Sequence, residues 1–305
     1  MAVTGKGHAM ATEGLFTRAN LRTALAAVGA VIGVDPAGAR LLRFTNNAVF
    51  LMARAPVVVR IVGSVALRHR VDKVVRVARW FAENDVPAVR LTSGVAQPVF
   101  VGDYAATVWD AIPEFDTPPR AADLARLLGL VHSLPPPLLP EWNPLDDVRR
   151  RLGEAEGLDG EELAFLRAKC DEVDQRLAGL EFALPRGLVH GDAHLGNLIP
   201  AAGGPVLCDF DSSCLGPPEW DLTPLAVGVS RFGEPADRYR ELADGYGFDV
   251  TRWAGFAVLR EVRELKLITS VLPIMNSSPE VRPELLRRLR DFRVGNTSAR
   301  WSRYR

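Results

Sequence analysis

The stretch from His190 to Asp211 restricts what this chain can become more tightly than any other part of it. It reads His190-Gly191-Asp192-Ala193-His194-Leu195-Gly196-Asn197, then a short apolar hairpin, then Cys208-Asp209-Phe210-Asp211. Gly191 and Gly196 permit backbone geometry that other residues resist. Asp192, Asn197 and Asp209 form an ordered set of hard oxygen donors. Phosphoryl transfer needs such a set: one carboxylate orients the attacking hydroxyl, while an amide and a second carboxylate hold the metal that neutralises the phosphates.

The rest of the chain supplies two kinds of segment. Residues 1–14 are small and polar and read as a frayed tail. Gly5-Lys6-Gly7 is not a P-loop, because the upstream glycine and the Ser or Thr after the lysine are missing. Asn20 can cap a helix to about residue 33, with Leu21, Leu25, Val28 and Ile32 at helical spacing. From Leu41 the period changes to short β-rich runs at 41–44, 48–52 and 57–62, punctuated by Thr45-Asn46-Asn47 and Ala55-Pro56. A helix is expected over 65–83, then further strands over 88–91, 99–101 and 105–109. Ile112-Pro113 ends that pattern. Helices are expected over 121–133, 146–155, 161–178, 222–230, 235–245, 253–272 and 279–292, with a stiff proline-rich connection over 135–140. The basic end, 293–305, reads as loosely ordered. These elements predict an α+β, bilobal fold: a small antiparallel-sheet lobe over 1–112 and a larger, mostly helical lobe over 113–305.

Charge and cysteine usage narrow the partners. Lys plus Arg is 37 and Asp plus Glu is 37, so no global field draws the chain to nucleic acid or a membrane surface. Locally, 1–110 holds 13 basic and 7 acidic residues, and 140–181 holds 6 basic and 12 acidic. The first imbalance suits phosphates and the second a cationic substrate; solvated helix faces explain both equally well. Cys170, Cys208 and Cys214 form no C-x-x-C pair, and the N-terminus lacks a signal pattern. A reduced, cytoplasmic protein without membrane spans is the expectation.

The order of these motifs resembles the aminoglycoside phosphotransferase and choline kinase family. His-Gly-Asp-x-His-x-Gly-Asn-Leu from His190, Asp-Phe-Asp from Asp209 and Gly216-Pro217-Pro218-Glu219-Trp220-Asp221-Leu222 stand in family order, and the resemblance covers roughly residues 40–275. It implies a protein-kinase-like fold, ATP or GTP as phosphoryl donor, Mg2+, and a small acceptor such as an aminoglycoside, amino sugar or choline-like amino alcohol. Asp192 matches the catalytic base; Asn197 and Asp209 match the metal ligands. Asp211 either adds a second carboxylate near the metal or supports the loop. His190 and His194 read mainly as loop supports, and Asp221 as the aspartate that braces the catalytic loop.

The first lobe should supply the nucleotide contacts. Thr45-Asn46-Asn47-Ala48 lies where the nucleotide-covering turn would be, with Asn47 as a candidate contact. Val57-Val58-Val59-Arg60-Ile61 resembles Val-Ala-Ile-Lys with Arg60 in the lysine's place, a departure that keeps the charge but changes its geometry. The following helix offers Asp72 where a glutamate is usual, so an Arg60–Asp72 ion pair is expected. Trp109 and Ala111 fit the hinge that would meet the purine edge, although Trp109 equally suits core packing. Glu114 and Asp116 read as surface.

Two other readings stay open. A kinase-like module that holds nucleotide but barely turns over is motivated by Arg60. A metallohydrolase is motivated by His190, Asp192 and His194 at alternate positions, but His8, His69 and His132 add no paired motif and zinc hydrolysis leaves Asn197 unexplained. The acceptor is expected near the acidic 140–181 segment and the late helix bearing Glu261 and Glu264.

Overall fold

The computed structural model describes residues 18–44, 47–62, 69–276 and 278–304. The expected tail over 1–14 and half of the nucleotide-covering turn, Thr45 and Asn46, lie outside the described residues. The chain divides into two compact units. One comprises the described residues up to Pro118 together with Asn197–Ser213; the other comprises Pro119–Gly196 and the residues from Cys214 onward.

The first unit is built on a five-stranded sheet of order β1-β2-β3-β5-β4: β1 Arg40–Phe44, β2 Asn47–Leu51, β3 Val57–Val62, β4 Val99–Val101 and β5 Tyr104–Asp110. Every pairing is antiparallel. Alternation sets the faces. On β3, Val57, Val59 and Ile61 are buried against helix α1, Arg18–Ile32, through Leu21, Ala24, Leu25 and Val28. Arg60, between them in sequence, points the other way, opposite Val49 on β2 and Thr107 on β5. Helix α2, His69–Glu83, buries Val71, Val74, Val75, Val77, Ala78 and Phe81, which leaves Asp72, Arg76 and Arg79 on its wet face.

The strand expected over 88–91 does not form. Ala88 and Leu91 make single bridges to Leu207 and Trp109, so this segment links the sheet to a hairpin rather than joining a ladder. That hairpin, β7 Leu198–Ile199 and β8 Val206–Leu207, follows the pair partner-to-be β6 Gly187–Val189 in sequence yet packs in the first unit. Leu207 donates its amide to Pro87 (2.9 Å) and accepts from Val89 (2.9 Å). Phe210 then plugs in edge-on to Phe81, with ring centres 4.9 Å apart, and to Trp109 at 6.0 Å.

The second unit is helical: α3 Ala121–Ser133, α4 Asp146–Gly153, α5 Gly160–Ala178, α6 Glu219–Phe232, α7 Ala236–Tyr246, α8 Phe256–Thr269 and α9 Arg282–Arg293, with β6 paired to β9 Cys214–Gly216. Its core joins Leu145, Val148, Leu166 and Val173 to the buried stripe Leu259, Val262, Leu265 and Ile268 of α8. The basic end is tied down, against expectation. Trp301 is 4% exposed, donates its amide to the Arg231 carbonyl (2.6 Å) and lies 4.3 Å beneath the Arg231 guanidinium. The buried Trp301 ring meets the guanidinium groups of Arg231 and Arg288, and the tail gives Arg231 the carbonyls of Asn296 and Ala299 and gives Arg288 the carbonyl of Ser302 and the ring of Tyr304. No helix of the described residues is long and apolar enough to cross a membrane, and the three cysteines are free.

Candidate active site

The Asp192 loop belongs to the second unit, and Asp221 braces it as expected. From the first turn of α6, fully buried, its carboxylate accepts from the amides of His190 (2.6 Å) and Gly191 (2.8 Å) and meets Nε2 of His132 at 3.1 Å. His132 is fixed in turn by the Tyr246 hydroxyl at 2.8 Å, and the Trp220 indole N–H donates to the Gly191 carbonyl (2.9 Å). Gly191 has φ +82°, a conformation that side chains resist. His190 is buried and its Nδ1 accepts, at 3.4 Å, from the Asp192 amide. It supports the loop.

Asp192 itself meets a residue that sequence reasoning passed over. Arg263 on α8 donates to its Oδ1 at 2.7 Å, and His194 Nε2 stands 3.6 Å from Oδ2. Burial pushes the Asp192 carboxyl up, but Arg263 and His194 more than reverse this and hold it well below the usual carboxylate range. It is ionised at neutral pH. An ionised, oriented carboxylate can accept a hydroxyl's hydrogen bond.

Asn197, Asp209 and Asp211 lie in the first unit. Asn197 is buried, and its carbonyl accepts from the Cys208 amide (3.0 Å), which sets one loop against the other across the β7–β8 hairpin. Asp209 has φ +67° and ψ +67°, a left-handed conformation that Asp adopts more readily than most residues. The Arg60–Asp72 ion pair expected from sequence is not made. Arg60 instead pairs with Asp211 and lies 3.9 Å from Asp209, while Asp72 is on the exposed face of α2. The next residue takes the inward phase: Lys73 Nζ donates to the Asp211 carbonyl at 2.6 Å. Arg43 adds a contact to Asp209 at 3.4 Å. Among the described residues, Arg60, Lys73 and Arg43 thus converge on this acidic turn, and of these Arg60 was anticipated.

The two carboxylates compete. Burial, then the neighbouring Asp211, push the Asp209 carboxyl up to about 6 despite Arg60 and Arg43. Asp211, opposed by burial but favoured by Arg60, titrates below its ordinary value. A carboxyl made reluctant to ionise by a second one beside it is relieved by a cation, and an amide with two carboxylates offers the oxygen donors that magnesium prefers. The donor set therefore fits a hard divalent ion. Among the described residues no group of three or more His, Cys, Asp and Glu could hold a metal, so the histidine-based zinc alternative finds no support.

The expected purine contacts change character. The Trp109 ring is buried, its indole N–H bonded to the Thr107 hydroxyl (2.8 Å), so it is core. The Ala111 amide donates to the Pro56 carbonyl (2.8 Å) and is already used. Asn47 opens β2 opposite Val62.

Part of the acidity that favoured a cationic acceptor is held in ion pairs. Asp171 and Asp174 meet Arg149, Asp147 and Glu154 meet Arg150, and Glu172 meets Lys169. Glu261 binds Arg176 through both oxygens at 2.9 Å, and buried Glu264 binds Arg231 at 2.8 Å. Most of these cations belong to the same segment, and among the described residues the arginines that reach its acids from outside are Arg186, on Glu141, and Arg293, on Glu161, so the excess acidity is reduced rather than removed.

Comparison with known proteins follows the same lines. The model of the phosphotransferase enzyme family matches residues 41–261. Among solved structures, the chain is similar to the amicoumacin kinase hAmiN in complex with AMP-PNP, Ca2+ and Ami, at TM-score 0.71 and 13% identity, covering 97% of this chain and 98% of that one. A choline/ethanolamine kinase family protein from Mesorhizobium loti gives TM-score 0.62 and 18% identity over 90% and 93%. The choline kinase LicA from Streptococcus pneumoniae gives 0.64 and 15% over 86% and 96%. At these identities the likeness shows a shared kinase-like fold. No curated protein matches the chain significantly by sequence.

Proposed function

This chain belongs to the phosphotransferase enzyme family, and from that premise we propose that it transfers the γ-phosphoryl group of ATP or GTP to a hydroxyl of a small molecule in the cytoplasm. The observation that carries the reading is the acidic turn itself: Asp209 and Asp211 side by side, answered by Arg60 from the third strand and Lys73 from α2. Magnesium, when held by Asn197, Asp209 and Asp211, supplies neutralisation of the phosphate charge. Arg60 and Lys73 are the cations available to the phosphate oxygens. Asp192 accepts the hydrogen bond of the acceptor hydroxyl and fixes its lone pair toward phosphorus. The acceptor oxygen forms its bond to the γ-phosphorus as the bridging P–O bond breaks; the electron pair leaves with the nucleoside diphosphate and the hydroxyl proton leaves through Asp192 to solvent. Positioning and charge do the work, with no covalent enzyme intermediate.

A coupled nucleotide-consumption screen over sugars, amino sugars, aminoglycosides, amino alcohols and hydroxy acids tests this. Asp192→Ala should lower acceptor-dependent turnover by roughly 10²–10⁴-fold, and consumption that survives the substitution would remove Asp192 from its role. The occupation of Asp211 by Arg60 keeps a second reading alive, a nucleotide-holding module with little transfer. Its signature is thermal stabilisation by nucleotide with no acceptor-dependent consumption.

A further inference from the structure

The face of α8 beside Asp192 carries more positive charge than its neighbours answer. Arg263 and Lys266 are three residues apart, so their side chains leave the helix side by side, about 5–6 Å apart at Cβ. Arg263 reaches Asp192 at 2.7 Å. Lys266 Nζ lies 5.7 Å from the centre of the Trp220 ring and donates no hydrogen bond to any described residue. The charges that act on it are Asp147, Arg263, Asp192 and Arg151. Both carboxylates are engaged elsewhere, Asp147 with Arg150 at 3.0 Å and Asp192 with Arg263. Arg150 is answered by Asp147 and Glu154 and Arg263 by Asp192, which leaves the Lys266 ammonium as the charge on this face that no carboxylate of the described residues binds directly.

We propose that the acceptor carries a compact anionic group, a carboxylate or a phosphate ester, which Lys266 and Arg263 bind while its hydroxyl is presented to Asp192. An ammonium donor set with no acceptor in a part-buried position is costly to keep for packing alone. A cationic acceptor would meet an excess of like charge there, whereas an anion restores the balance. The spacing fits a small molecule whose hydroxyl and acid group are a few bonds apart. Burial, assisted by Arg263 and Arg151, pulls the Lys266 ammonium down to about 8, and an anion bound beside it would raise it again.

The inference rests on the phosphotransferase reading, and the two can fail separately. Nucleotide consumption is measured with glycerol, glycerate and glycerol 3-phosphate, with sorbitol, gluconate and glucose 6-phosphate, and with choline and kanamycin. The expected result is acceptor-dependent consumption with kcat/KM at least about tenfold higher for the acid members than for their neutral partners; the carboxylate and phosphate arms decide which anion is bound. Lys266→Met should raise the KM for that acid about tenfold, the loss of roughly one charged hydrogen bond, leave the nucleotide KM in place, and be partly rescued by Lys266→Arg. Preference for neutral or cationic members, or an acid KM indifferent to Lys266→Met, overturns the inference and leaves phosphoryl transfer standing. If no compound of any charge is consumed, transfer fails, and calorimetric titration of the same acids into wild type and Lys266→Met decides the binding claim alone: binding by wild type only upholds it, and no binding overturns it.

Discussion

Asp209 shows at a single residue how a catalytic turn is kept at the expense of stability. Its carboxyl titrates near 6 in the folded chain and near 4 in an unfolded one. Between those values the folded state holds the proton more tightly, so ionisation above pH 6 costs stability that is absent below about pH 4. Asp209→Asn should therefore raise the melting temperature of the metal-free protein at pH 7–8, with the gain shrinking as pH falls from 6 toward 4; a gain independent of pH would assign the effect to the left-handed backbone instead. Asp192 behaves in the opposite sense. Held low by Arg263 and His194 against burial, it contributes stability present above the ordinary carboxylate range and lost as pH falls through its depressed value. Arg263→Met should remove that contribution, lowering the melting temperature at pH 7, with the deficit shrinking as pH falls below the ordinary carboxylate range and through the depressed value of Asp192.

At the scale of elements, the brace from α6 is the feature on which the loop depends. Asp221→Ala leaves two buried loop amides and one histidine nitrogen without their acceptor, at about 1–3 kcal/mol for each unsatisfied group. The expected outcome is a melting temperature lower by several degrees and a reduced kcat with the nucleotide KM little changed. This brace was legible in the sequence because it travels with a contiguous motif. So were the sheet and most helices, because periodicity of two or 3.6 is written locally. What escaped depended on phase and distance. Asp72 and Lys73 are adjacent in sequence, and only the helix's rotation decides which turns inward to Asp211. Residues 88–91 look like a strand, but Ala88 bridges to a hairpin more than a hundred residues on while Leu91 bridges to Trp109, so no ladder forms. Arg263 and Lys266 carry no motif; they gain meaning only from folding α8 beside Asp192.

On the scale of the molecule, segment composition misled twice for one reason. The acidic stretch over 140–181 and the basic end over 293–305 each looked like an unbalanced surface, yet Arg293 meets Glu161, and Arg186 meets Glu141. Part of each excess is answered in space by residues distant along the chain. The tail is part of the helical core, so Trp301→Ala should cost about 3–5 kcal/mol in chemical denaturation, with unfolding of the second unit shifting first if the two units unfold separately. A chain ended after Gly295 should lose still more, since Arg231 would lose the carbonyls of Asn296 and Ala299 and Arg288 that of Ser302 while both keep their buried charges.

The return of Asn197–Ser213 to the first unit has a consequence during synthesis. The β-sheet emerges early, but Phe210, which fills the gap between Phe81 and Trp109, leaves the ribosome only after nearly a hundred further residues have been made. The first unit must wait, incomplete, while α3 to α5 pass, so neither unit can be finished independently by vectorial folding. A chain released after Pro118 should not refold to the native sheet, whereas one released after the β9 strand should, a difference that limited proteolysis of stalled nascent chains can resolve.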